Sequence, residues 1–250
     1  MKRETFKKFQ VSSFKKYMGN KIHPTNFRLG VIHNWKSRWL NRKLFRYFLE
    51  EDFRVCEFLT KQYNRMGLGE VEIERSGDNL TVIVNTAKPG LIIGRGGTGL
   101  TDLKKKLEEI VKKLRLKNKY STGKWELKLA VSEIKKAESE AKIVAQNIAS
   151  DLEKRIPFRR SMKSALERVM AQKEVLGVKI NLAGRLNGSE MARREWLSKG
   201  KVPLQTLRAN INYAQEEALT IYGKVGIKVW IYKGEVFEAQ NEKRKAQNNF

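Results

Sequence analysis

The sequence predicts an α+β protein of two domains, and three observations carry that prediction. Two alternating β-branched runs, VEIER (71–75) and LTVIVN (80–85), flank SGDN and read as an antiparallel hairpin. Amphipathic helical stripes lie on both sides of residues 132–137, near which the two domains join. Lysine plus arginine number 52 against 27 acidic residues, a formal net charge of +25 in 250 residues. Self-repulsion of that size opposes compaction, so a polyanionic partner is the natural explanation.

The elements follow in order. Residues 1–17, MKRETFKKFQVSSFKKY, are a basic extension with Phe6, Phe9, Phe14 and Tyr17 interspersed. A transit peptide is usually rich in Arg and Ser, so a basic arm that orders on RNA is the better reading. Residues 18–44 are loop-like, and their polar backbone is expected to find partners outside the protein. The first domain, residues 45–133, opens with a helix from Phe45 to Tyr63, on which Phe48, Val55, Phe58 and Leu59 recur at helical spacing. The hairpin comes next, then TAKPG, LIIGRGG and a helix striped by Leu100, Leu103, Leu107, Ile110, Val111 and Leu114. KWELKLAVSE (124–133) completes the unit as a strand.

The second domain, residues 134–236, begins with two helices separated by Pro157. Ala141, Val144, Ala145, Ile148 and Leu152 stripe the first; Met162, Ala165, Leu166, Val169 and Met170 stripe the second. Gly177 stops the second helix, and strands are expected at 178–184, around 204–213 and at 225–234. Residues 237–250 have too little apolar surface to fold and form a flexible tail.

Composition removes several functions. The lone Cys56 excludes an intrachain disulfide and a cysteine-based zinc site, and its apolar pattern marks it as a small buried residue. His23 and His33 have no second ligand at metal spacing, so no metal and no cofactor are expected. No apolar stretch approaches the roughly 20 residues of a membrane span. The basic residues run from Lys2 to Lys245 rather than along one amphipathic helix, which favours nucleic acid over a membrane surface.

The glycines of LIIGRGGTGL (91–100) admit three phosphate chemistries. A dinucleotide fingerprint over Gly94, Gly96 and Gly99 requires a parallel strand before it and an acid about 20 residues on. Lys112, Lys113 and Arg115 stand near that distance instead. A nucleotide loop requires a lysine where Leu100 stands. A GxxG loop, Gly94-Arg95-Gly96-Gly97, requires only close approach of glycine backbone to a sugar-phosphate chain and a following helix N-terminus. Arg95 and Lys104–Lys106 supply the charge. A plain connecting turn with solvated lysines is the bland alternative.

In this setting the order helix, hairpin, TAKPGLIIGRGG, helix and strand resembles a type II KH domain. The blocks MGNKIHPTNFRLG (18–30), PFRRSMKSALERVM (157–170), NLAGRLNGSEMARREWLSKGKVPLQTLRANI (181–211) and YGKVGIKVWIYKGE (222–235) extend the resemblance over most of residues 18–236. The whole is similar to the family of bacterial-type small-subunit ribosomal protein number three. The extra stretch before Met18 and the short tail depart from it.

The resemblance implies a non-enzymatic, structural component of the small-subunit head that binds ribosomal RNA and helps form the mRNA entry channel. It implies a place in the ribosome, in the cytoplasm or a bacterial-type organelle, beside ribosomal proteins ten and fourteen. The positions matching its mRNA-gripping block are Arg159, Arg160 and Lys163. These lie off the apolar stripe, where cations near a helix N-terminus oppose the dipole and a phosphate would offset that cost. Arg185, Arg193, Arg194, Lys199, Lys201 and Arg208 lie among Gly184, Gly188 and Gly200, as glycine-rich turns against folded RNA. Some of these arginines pair with Glu190 or Glu195 in the alternative reading. Lys21, His23, Arg28, Lys36 and Arg38 are expected to meet ribosomal RNA or neighbouring proteins, as is Trp35. Trp196 and Trp230 read as packing residues rather than stacking platforms. A nucleotide-dependent enzyme and a free-standing KH-type regulator are the competing functions. The first lacks a lysine at the phosphate, and the second has no need of the arginine–glycine block.

Overall fold

The computed structural model describes residues 22–118 and 125–237. The basic extension (1–17), Lys21 and residues 238–250 of the tail lie outside the described residues. Helices and strands in chain order are α1 (Pro24–Phe27), β1 (Ser37–Arg38), α2 (Phe45–Tyr63), β2 (Leu68–Ser76), β3 (Asn79–Thr86), α3 (Pro89–Ile93), α4 (Thr98–Lys117) and β4 (Leu127–Glu133). Then follow α5 (Ala141–Glu153), α6 (Phe158–Met170), β5 (Gly177–Gly184), β6 (Arg193–Gly200), β7 (Ala209–Thr220) and β8 (Gly223–Glu235).

The first sheet has the order β1-β2-β3-β4, with β2 and β3 antiparallel and the outer pairs parallel. Its alternation puts Val71, Ile73, Leu80, Val82 and Val84 on one face, where Val55 and Leu59 of α2 and Leu103, Leu107 and Val111 of α4 close the core. The expected helices and hairpin are present, and the short β1 and α3 are additions the apolar pattern did not show. Both are too short to show a period.

A charged network lies under this core. Arg75 on β2 donates to Glu51 at 2.7 Å and to Asp52, and Arg115 near the end of α4 donates to Glu51 at 2.9 Å. Trp39 donates its indole N–H to Asp52 at 2.7 Å. The side chains of Glu51 and Arg75 are 1% and 3% exposed, so each ion is held by hydrogen bonds rather than by water. Arg75 also lies over the Phe48 ring and Arg115 over the Trp125 ring, each 4.5 Å from the centroid.

The second sheet, in the order β6-β5-β8-β7, is wholly antiparallel. Val178, Ile180, Leu182, Ile227, Val229 and Ile231 face α5 and α6, and this inner face is the larger core. β6 corrects the reading of 185–201 as glycine-rich turns. Its polar sequence, RREWLSKG, hides a strand because an edge strand buries little of either side. The two sheets meet through α5. Gln146 donates to Asn64 Oδ1 at 2.8 Å and to the Leu68 carbonyl at 2.9 Å, and Asn64 donates to Glu216 on β7.

Residues 22–34 run back across the outer face of the second sheet, and their anchor is Arg28. This residue is fully buried, and its guanidinium donates to the carbonyls of Pro24, Leu204 and Thr206 at 2.8–2.9 Å. Backbone of residues 22–36 also finds partners inside the protein, where the expectation for residues 18–44 placed them outside: the Arg28 carbonyl accepts from the Ile32 and His33 N–H groups, and the Lys36 carbonyl accepts from the Ile73 N–H.

Glu51→Ala leaves two buried guanidinium groups short of a partner and is expected to cost about 3–5 kcal/mol. Glu126→Ala, which removes only an exposed contact to Lys128, should cost under about 1 kcal/mol. Urea unfolding followed by near-UV circular dichroism compares the two.

Candidate nucleic-acid interface

The glycine loop is built between α3 and α4. Gly94 has φ 71° and ψ −179°, Gly96 φ 60° and Gly97 φ 77°, all left-handed values that a side chain opposes. A Cβ at Gly96 or Gly97 would meet nothing within 4 Å, so the loop is open on its outer side. Gly99 differs. A Cβ there would lie 2.6 Å from the Ile92 carbonyl and 2.9 Å from that of Ile93, so this glycine serves the contact of α4 with α3. Arg95 is exposed and makes no ion pair among the described residues.

Gly97 caps α4 without a side-chain hydrogen bond, and the first turn of this 20-residue helix holds no acid. Its Thr98 N–H donates to the Arg95 carbonyl, and the N–H groups that follow have no side-chain cap, which leaves the positive dipole end beside the loop uncompensated by an acid. Lys105 and Lys106 are exposed on the following turn. Flexible backbone, free donors and uncompensated cations suit a phosphodiester chain.

The start of α6 repeats the pattern. Pro157 precedes it, no side chain caps it, and its first turn carries no acid. Phe158, Met162, Ala165 and Leu166 are buried against the second sheet, which turns Arg159, Arg160 and Lys163 outward. Arg159 approaches Glu195 at 3.4 Å, and Glu195 also accepts from Arg193 at 2.9 Å. Arginines at both sides hold that carboxylate below the usual carboxylate range against the opposing effect of its burial. Arg160 and Lys163 make no ion pair among the described residues.

The remaining candidates divide. Arg194, Lys199 and Lys201 are exposed along and just after β6. Arg185 donates to the Ser189 carbonyl at 2.9 Å and lies over the Tyr222 ring, and Arg208 lies over Phe237. Lys36 pairs with Glu70 at 2.9 Å and Arg38 with Glu72 at 2.7 Å, so part of their charge is already met. His23 packs edge-on against Tyr213 with ring centroids 4.7 Å apart. Burial, then the nearby Lys36, lowers its pKa. Arg28 corrects the expectation of an RNA contact: its guanidinium is buried against carbonyls and has no surface to offer. Cys56 is half-buried rather than sealed in the core, and burial raises its thiol pKa.

A cavity of about 450 Å³ lies between residues 25–38, the first sheet and β7–β8. Its charges are largely satisfied within its own wall by the Lys36–Glu70, Arg38–Glu72 and Lys233–Glu140 pairs. No group of three His, Cys, Asp or Glu side chains among the described residues could hold a metal ion. No helix among them is long and apolar enough to cross a membrane.

Comparison with known proteins decides the family. Residues 54–139 match the KH domain, and residues 148–231 match the ribosomal protein S3, C-terminal domain. Small ribosomal subunit protein uS3 of Myxococcus xanthus is 47% identical over 219 residues, covering 88% of this chain and 94% of that protein. The uS3 of Desulfitobacterium hafniense is 45% identical, over 89% of this chain and 96% of its own. The chain belongs to the uS3 family.

For a uS3-family chain, the glycine loop belongs to the matched KH region and α6 with β6 to the matched C-terminal region. The glycine loop and the start of α6 are the two regions that sequence reasoning singled out. It missed the buried Glu51, Arg75 and Arg115, which tie α2, β2 and α4 together, because a charged residue in a helical or strand pattern reads as solvated. It also read Trp196 as packing, whereas the residue is 58% exposed on β6.

The glycines predict a ranking. Gly99→Ala should cost about 2 kcal/mol through overpacking, and Gly96→Ala about 1 kcal/mol through its left-handed backbone alone. Urea denaturation of the two variants checks the order.

Proposed function

We propose that this chain is a structural component of the small ribosomal subunit, which binds ribosomal RNA and grips mRNA at the entry channel. Membership in the uS3 family supports the first half. The observation that carries the second is the start of α6, where three cations stand on an uncapped helix end and, among the described residues, the Glu195 carboxylate alone pairs with them. A passing phosphate chain supplies the missing negative charge there without any recognition of sequence. Arg159, Arg160 and Lys163 are the gripping residues.

Ribosomal RNA is met by the GRGG loop, Gly94–Gly97, and by Arg185, Arg193, Arg194, Lys199, Lys201 and Arg208. Lys36 and Arg38 contribute at the rim, where they exchange carboxylates for phosphate. Ribosomal proteins ten and fourteen are the expected protein neighbours, and the cytoplasmic ribosome the expected location. No covalent chemistry is assigned to the chain. Its anion sites are helix ends and side chains suited to holding a polymer in place.

Replacing Arg159, Arg160 and Lys163 together with alanine should slow translation through structured mRNA while small subunits still assemble. Sucrose-gradient sedimentation of lysate reads assembly, and collapse there would move these residues to the ribosomal RNA interface. With the free chain, affinity for single-stranded RNA should fall with salt. The triple variant should flatten the log–log slope by about 2, at roughly 0.7 per lost contact. An unchanged slope would remove these residues from the interface.

A further inference from the structure

Exposed aromatic surface on a basic protein asks for an occupant, and the outer face of the second sheet shows one. Strand register places Ser198, Lys179, Trp230 and Tyr213 in one row across the sheet, and Trp196, Asn181, Lys228 and Gln215 in the next. A third row holds Arg194, Ala183, Gly226 and Glu217. All point away from the helices, because Ile180, Leu182, Ile227 and Val229 between them point inward. Residues 22–34 cover the end of this face near Ile211 and Tyr232, and the part around Trp196 is left open.

The open part has a definite chemistry. Trp196 is 58% exposed, and Lys179 Nζ lies 5.1 Å from its ring and 5.7 Å from that of Trp230. Lys228 and Arg194 are exposed beside it, while the one acid of the three rows, Glu217, is paired with Lys224 at 2.9 Å. Ala183 and Gly226 keep the surface low next to the indole. Asn181 Oδ1 lies beneath, buried and without a hydrogen-bond donor.

We propose that this face is a second single-strand surface, on which an unpaired stretch of mRNA stacks a base on Trp196 and lays its phosphates against Lys228 and Arg194. A four-stranded antiparallel sheet with helices behind and aromatics in front is a known physical solution for unstacked RNA bases. Charge favours a polyanion over a protein segment. Continuity favours mRNA as its source. β6 is the edge strand, Arg193 on its inner side shares Glu195 with Arg159 of α6, and Arg194 and Trp196 lie on its outer side. A strand held at α6 thus reaches Trp196 by crossing one strand edge. The inference rests on the mRNA-gripping reading of α6 and extends it.

The test uses the full chain and single-stranded oligoadenylate, read by tryptophan fluorescence and by affinity. Trp196→Ala should weaken binding about tenfold, in the range of one lost base stack. Trp196→Phe should keep the affinity and lose most of the quenching. An unchanged thermal unfolding curve in either variant excludes misfolding, as expected for an exposed ring. Wild-type affinity in Trp196→Ala, with weakened binding in the Arg159, Arg160 and Lys163 triple alanine variant, would overturn this inference and leave the proposed function standing. Wild-type affinity in both would remove both. In assembled small subunits, a photocrosslinker at position 196 should label mRNA. Labelling confined to ribosomal RNA or to a protein would overturn the assignment.

Discussion

The position of α4 depends on Glu51, which binds Arg115 near the C-terminal end of that helix and Arg75 on β2 with the same carboxylate. At the other end of α4, Gly99 lets the backbone approach the carbonyls of Ile92 and Ile93. The helix is thus fixed at both ends, and the GRGG loop and the free N–H groups behind it are aimed by that fixing. A network of buried ions is costly to assemble and more costly to break singly, so it sets one geometry against near alternatives.

The same distinction between spent and unspent charge organises the rest of the molecule. Arg28, Arg75 and Arg115 are spent inside the protein, on carbonyls or carboxylates. Lys36, Arg38 and Arg193 are partly spent at the surface. Arg95, Arg160, Lys163, Arg194, Lys199 and Lys201 make no ion pair among the described residues. They gather at the loop before α4, at the start of α6 and along β6. Uncapped helix ends coincide with two of those three places, so backbone dipoles and side-chain cations add there rather than cancel.

Much of this was readable from the pattern of residues. The hairpin, the four long amphipathic helices α2, α4, α5 and α6, and the glycine loop follow from periods of 2 and 3.6 and from glycine spacing. α6 shows why its outward face was readable as well. Its apolar stripe is complete without Arg159, Arg160 and Lys163, so those side chains had to face out. β6 was not readable, because RREWLSKG has neither a buried alternation nor β-branched residues, and it is a strand only because β5 offers it an edge. Arg28 was misassigned for a related reason: nothing local distinguishes an arginine that meets RNA from one that meets the carbonyls of Leu204 and Thr206.

The sequence by itself determined the types of the long elements other than β6, the two cores, the basic character and the kind of loop that precedes α4, since these depend on neighbours a few positions away. Tertiary structure decided which charges are consumed and which remain. Glu51 meets Arg115 across 64 positions and Arg28 meets Thr206 across 178. It also decided that Trp196 stands in the open. A strand's face is set by its register with its partners, and register is a property of the sheet.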